Sequence, residues 1–123
     1  MKIIIDTHIF LWAISEPDKI DPHKRAALET ATNTIYVSAI SIVELMIKSS
    51  LGKLQINFNP VEIAKKSGFE LLDFSAEDAM QMKDMPFHHK DPFDRMLIAQ
   101  SNAKGIPVMT DDRKFKLYDC KLM

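Results

Sequence analysis

Carboxylates recur where the apolar runs of this 123-residue chain end. Asp6 closes Ile3-Ile4-Ile5, Glu44 lies in the segment after Ile35-Tyr36-Val37, and Asp111 and Asp112 follow Ile106-Pro107-Val108-Met109. Asp91 and Asp94 open a further helical segment. Open α/β sheets bind ligands beyond the carboxyl ends of their strands. If these three runs are neighbouring parallel strands, their acids meet at one sheet edge. An oxygen-only cluster of that kind suits a hard divalent cation.

A plainer explanation competes. An acid in the first turn of a helix satisfies orphan N–H groups and the macrodipole whatever else it does. Glu44 stands three residues after Ser41 and Asp94 three after Asp91, and the same spacing recurs in Asn59/Glu62 and Ser75/Asp78. Asp91 itself reads as an N-cap. Asp6 is different: it ends a buried strand and, on this reading, caps nothing. An ionised group there is costly unless it is paired or bound to metal.

Other reactive groups form weaker patterns. His88 and His89 are adjacent in a polar loop and read as solvated side chains. No Cys/His cluster has zinc spacing, and no glycine-rich phosphate loop is present. Cys120 has no base beside it and reads as a small buried residue. The eight methionines read as core filler or an oligomer surface.

The elements that must position the acids follow from pattern. Three consecutive isoleucines suit a strand buried on both faces. Thr7 is placed to cap a short apolar helix over 9–14, buried or part of an interface. Asp21-Pro22 starts a second helix, to about residue 30. A strand at 35–37 runs straight into a buried helix over 38–48. Asn59-Pro60 opens a helix over 61–67, and 70–74 is a third strand. Ser75 caps a helix over 76–85, Asp91-Pro92 opens one that runs to Gly105, and 106–109 is a fourth strand. A helical turn at 113–116 and a last strand at 121–123 finish the chain. Strands alternating with helices predict an α/β fold, with helices above and below a parallel sheet of four or five strands.

The bulk properties predict one domain over residues 1–123. The formal net charge is −1, so no global basic field advertises nucleic acid. One cysteine cannot form an internal disulfide, which fits a reducing cytoplasm. Asp6 and His8 interrupt any signal-like apolar segment, and no stretch approaches the roughly 20 apolar residues of a membrane span.

Four segments carry a resemblance: IIIDTH, VSAISIVELMIKSSLGKL, HHKDPFDRMLIAQ and IPVMTDD. In that order they resemble the PIN-domain family, and within it the VapC-type toxin ribonucleases of bacterial toxin–antitoxin pairs. The resemblance implies a three-layer α/β/α PIN-like fold with an acidic site holding one or two Mg²⁺ or Mn²⁺ ions. By motif, Asp6, Glu44, Asp94 and Asp112 match the four acids, with Asp91 and Asp111 as alternates and Thr110 placed to bond a carboxylate or a water. It implies hydrolysis of RNA phosphodiesters, a cognate antitoxin and a homodimer, for which segment 9–14 is suited. Lys48, Lys90, Arg95 and Arg113, with Lys53 and Lys114, lie near the motifs as candidate backbone contacts to RNA. Competing expectations are a catalytically silent PIN-like binding module and a PIN nuclease outside toxin–antitoxin systems. A phosphoacceptor receiver domain would need an aspartate closing the third strand, for which Asp73 is the one candidate, an acid pair after the first strand and a lysine after the last; this chain has neither of the latter two.

Overall fold

The computed structural model describes residues 1–118 and 120–123. The elements in chain order are β1 (Lys2–Ile5), α1 (Thr7–Ser15), α2 (Pro22–Glu29), β2 (Thr34–Ser38), α3 (Ala39–Ser50), α4 (Pro60–Lys66), β3 (Glu70–Leu72), α5 (Ala76–Met80), α6 (Pro92–Lys104) and β4 (Val108–Met109). Short 3₁₀ turns lie at Pro17–Lys19 and Arg113–Leu117.

The sheet has four parallel strands in the order β3-β2-β1-β4. β1 is therefore central, and its neighbours are β2 and β4, the arrangement that brings the strand-end acids to one edge. Its isoleucines are fully buried and alternate between faces. Ile3 and Ile5 pack with Val37, with Ile9 and Phe10 of α1, and with Ala64 of α4. Ile4 packs on the other face against Ile40 and against Leu97 of α6. Helices thus cover both faces, giving the α/β/α layering of a PIN-like fold. The expected strand at 121–123 reduces to a single bridge between Val108 and Leu122.

Proline after a capping side chain starts α2, α4 and α6 as expected: Asp21, Asn59 and Asp91 each accept from the first backbone N–H groups. Gly105 ends α6 at φ 67°, the left-handed conformation that glycine adopts without strain. The predicted helix 76–85 is shorter. After Met80 the backbone tightens into i→i+3 bonds, Gln81 N to Asp78 O and Met82 N to Ala79 O.

Two helix starts differ from expectation. α1 follows β1 with no loop, so Asp6, not Thr7, is its N-cap, and Asp6 Oδ1 accepts from Ile9 N at 2.8 Å. α3 follows β2 in the same way, and its cap is Ser38, which accepts from Ile40 N at 3.1 Å. Ser41 and Glu44 therefore lie inside α3 and form no capping box.

Segment 9–14 takes the buried one of its two expected alternatives. Ile9 and Phe10 are buried, and Leu11, Trp12, Ala13 and Ile14 pack against the same cluster. Four exposed apolar side chains, Val43, Met46, Ile47 and Leu51, lie together on α3 and just beyond it, and Met80, Phe87 and Leu117 are exposed elsewhere.

Candidate active site

A cavity of about 610 Å³ opens at the carboxyl edge of β1, β2 and β4. All the candidate acids line it: Asp6, Glu44, Asp91, Asp94, Asp111 and Asp112. Lys48 and Lys53 are its cations, and His8 and Trp12 form an aromatic wall, their ring centroids 4.6 Å apart.

Asp6 and Glu44 are the deepest of the acids, both buried. Asp6 uses both oxygens: Oδ1 caps α1, and Oδ2 accepts from the Thr110 hydroxyl at 2.5 Å. Burial pushes its carboxyl up, the bonds from Thr110 and Ile9 and the nearby His8 pull it down, and Glu44 adds to the rise. Glu44 Oε1 lies 2.7 Å from Thr7 Oγ1, and Oε2 lies 2.5 Å from Lys48 Nζ. Thr7 Oγ1 is also 2.9 Å from Ser41 Oγ. With one proton to give, Thr7 donates to the carboxylate, and Ser41 donates to Thr7. The bond to Glu44 is also the main reason the Lys48 ammonium is held above its ordinary range.

Asp94 shows the strain of the cluster. Its carboxyl is pushed up to about 7, first by burial and then by Asp91, with Asp6 and Glu44 adding and His89 opposing. A carboxylate held that high among other acids has a standing affinity for positive charge. Asp91 Oδ1 accepts from Phe93 N and Asp94 N, so it caps α6 while facing the cavity. Asp112 Oδ1 accepts from Lys114 N, and its own N–H donates to Thr110 Oγ1. Asp111 is exposed and pairs with Lys24 Nζ at 3.4 Å.

His89 is a correction to the sequence reading. It is buried, and its Nε2 lies 2.7 Å from Asp94 Oδ2 and 3.1 Å from Asp112 Oδ2. Among the described residues, His89, Asp94 and Asp112 offer donor atoms that all lie within 4.8 Å of one another. His88 is exposed as expected, its ring set edge-on to Tyr118. No local pattern separates the two histidines. Thr7, on Glu44, and Lys24 also support the acids, and no local pattern marks either for that role. Lys24 Nζ donates to Thr110 O at 2.7 Å and so props the loop that carries Asp111 and Asp112.

The candidate RNA contacts divide. Arg95 is buried and faces away from the cavity's lining: Nη1 donates to Pro86 O at 2.7 Å and to Tyr118 Oη at 3.1 Å, and the guanidinium lies over the Phe87 ring. It builds the 86–89 loop and does not offer its charge to a ligand. Lys48 is in the cavity but paired with Glu44. Lys90 is exposed in the loop before Asp91. Arg113 is exposed and lines a smaller neighbouring cavity with Lys24 and Lys116.

The donor set fits a hard divalent cation. Its free valence is carboxylate oxygen, neighbouring acids raise the proton affinity of Asp94 and Asp6, and the two buried acids are held in place by Thr110 and Ile9 N and by Thr7 and Lys48. No helix is long and apolar enough to cross a membrane among the described residues.

The family model for the PIN domain matches residues 3–120. Among curated proteins none matches the chain. Solved structures do. VapBC2 from Rickettsia felis, bound to a DNA fragment from its promoter, aligns at a TM-score of 0.70 and 21% identity, over 99% of this chain and 96% of that one. DNA-bound VapBC from Salmonella typhimurium aligns at 0.70 and 19%, over 99% and 96%. FitAcB from Neisseria gonorrhoeae aligns at 0.60 and 22%, over 98% and 96%.

Proposed function

The chain belongs to the PIN-domain family, and from that premise we propose that it is a metal-dependent endoribonuclease, the toxin of a type II toxin–antitoxin pair. One observation carries the reading: acids from the ends of β1, β4 and α6 and from the body of α3 line a single cavity at the edge of a parallel sheet.

Asp6, Glu44, Asp94 and Asp112 are the proposed cation ligands, with Mg²⁺ the proposed ion and Mn²⁺ an alternative. A divalent cation bound there supplies Lewis acidity, neutralising phosphoryl oxygens and acidifying water near neutral pH. The chain's own residues do the rest. Thr110 and the α1 N-terminus hold Asp6 in one rotamer. Thr7 and Lys48 hold Glu44. Trp12 and His8 offer flat faces on which a nucleobase can stack, and Lys53 lines the same cavity and can hold a phosphate.

The toxin assignment and the antitoxin rest on the VapBC and FitAcB likeness, which at this identity supports the fold and motivates the partner. Exposed Val43, Met46, Ile47 and Leu51 supply apolar surface for a homodimer or that partner. The lone cysteine fits a cytoplasmic setting.

The test is cleavage of RNA by the purified chain in Mg²⁺ or Mn²⁺, against Asp6→Asn, Glu44→Gln and a chelated control. Cleavage that needs the ion and disappears in both variants supports the reading. Ion-independent cleavage, or variants that cut like wild type, would leave a silent binding module as the better account.

A further inference from the structure

We infer that His89 is a positioning residue of this site: a hydrogen-bond donor that gathers Asp94 and Asp112, and not itself a cation ligand. The inference rests on the reading of the cavity as a cation site and assigns a role within it.

The tautomer decides between donor and ligand. The Asp91 amide donates to His89 Nδ1 at 3.3 Å. A backbone N–H can only donate, so Nδ1 presents its lone pair and the ring proton sits on Nε2. That Nε2–H faces Asp94 Oδ2 at 2.7 Å and Asp112 Oδ2 at 3.1 Å. Binding a cation through Nε2 would move the proton to Nδ1, where it would meet the Asp91 N–H head-on.

His89 is held, through its backbone and its ring, by groups that are not among the acids it serves. Its backbone N–H donates to Tyr118 Oη at 2.9 Å, and its ring lies edge-on to buried Phe115. Tyr118 is fixed in turn by Arg95. So Arg95, Tyr118 and the Asp91 amide orient His89, and His89 orients two carboxylates from different elements, one on α6 and one after β4. Unassisted, those like charges repel. A shared donor at their Oδ2 atoms lowers that repulsion. Asp112 Oδ1 accepts from Lys114 N. Outer partners of ligating carboxylates act in this way, and their loss costs about 10–100-fold in ion affinity.

The test is Mn²⁺ titration calorimetry on the full chain without RNA, for wild type, His89→Phe and His89→Gln, alongside nitrogen-15 NMR of the wild-type imidazole. His89→Phe keeps the ring against Phe115 but loses the donor, and is expected to bind Mn²⁺ about 10–100-fold more weakly. His89→Gln can donate from near the Nε2 position and is expected to recover most of that loss. The NMR signals are expected to show the Nε2–H tautomer before and after Cd²⁺ is added, with no cadmium–nitrogen coupling. Equal Mn²⁺ affinity in wild type and His89→Phe overturns the inference. So does an Nδ1–H tautomer or a cadmium–Nε2 coupling, both read on the wild-type chain even if the Phe variant fails to fold. A wild-type chain that binds no Mn²⁺ overturns the proposed function together with this inference. Wild-type binding with an indifferent Phe variant removes the inference alone.

Discussion

Thr110 donates its hydroxyl proton to Asp6 Oδ2 across 2.5 Å, joining the end of β4 to the end of β1 over 104 residues of chain. The other oxygen of Asp6 caps α1. The central acid of the cavity is therefore also a structural part, and the two roles separate by substitution. Asp6→Asn keeps a good N-cap, because asparagine caps as well as aspartate, and it removes a buried charge. Without metal it is expected to melt at or above wild type. Asp6→Ala loses the cap and is expected to lose about 0.5–2 kcal/mol. Both are expected to lose cleavage by on the order of 10²-fold or more. Thermal melts and cleavage rates of the pair check this, and an Asn variant as unstable as the Ala variant would count against it.

Glu44 carries no such burden. Ser38 caps α3 while Ser41 and Glu44 sit inside it. Ser38→Ala is expected to cost on the order of 1 kcal/mol through the lost cap. Glu44→Gln is expected to spare the helix and weaken ion binding, since its oxygens serve Thr7 and Lys48 and no helix N–H. Urea melts of the two variants, with Mn²⁺ titration of Glu44→Gln, test the division. A Glu44→Gln chain that unfolds easily yet binds Mn²⁺ normally would restore the capping explanation.

Much of this arrangement is legible in the sequence, and the failures share a cause. β1 is readable because a both-faces-buried strand needs no alternation, and the Asp-Pro and Asn-Pro pairs mark α2, α4 and α6. At α1 and α3 the chain passes from strand to helix with no loop, so the residue at the strand end, Asp6 just after β1 and Ser38 closing β2, becomes the cap. The cap pattern is then read one to three residues late. That slip made Asp6 look free of a capping role and gave Glu44 one, the reverse of the structure. His89 and Arg95 are a different failure. Their motif is visible, but their burial depends on Tyr118, 29 residues beyond His89 and 23 beyond Arg95. No local periodicity carries that distance.

The Asp94 carboxyl makes stability depend on pH in an uncommon direction. Its value rises from 3.8 to about 7 in the folded chain. A raised value means that the ion-free fold holds this proton more tightly than the unfolded chain does. The stability it contributes is full below about pH 4 and is lost as pH climbs through about 7. Asp6, raised in the same direction, adds to the trend. Bound Mg²⁺ favours the ionised form and is expected to flatten it, so the stabilisation on adding Mg²⁺ should grow from pH 5 to pH 8. Asp94→Asn should flatten the ion-free profile as well. Melting temperatures over that range at constant ionic strength decide it; parallel profiles for wild type and Asp94→Asn would refute the assignment.

Arg95 and Lys53 make opposite predictions for RNA. Arg95 is buried, with its charge given to Pro86 O, Tyr118 Oη and the Phe87 face. Arg95→Gln removes the charge and cannot reproduce that planar fork, and is expected to cost about 1–3 kcal/mol of stability through unsatisfied buried groups. It should leave the salt dependence of RNA binding unchanged, because no phosphate contact is lost. Lys53 lines the cavity, so Lys53→Ala should do the reverse, with an unaltered melt and a salt slope for single-stranded RNA shallower by about 0.7. Binding is measured at several salt concentrations and at a temperature where all three proteins are folded. A shallower slope in Arg95→Gln would put that guanidinium on the RNA after all and would mean that the 86–89 loop opens when RNA binds.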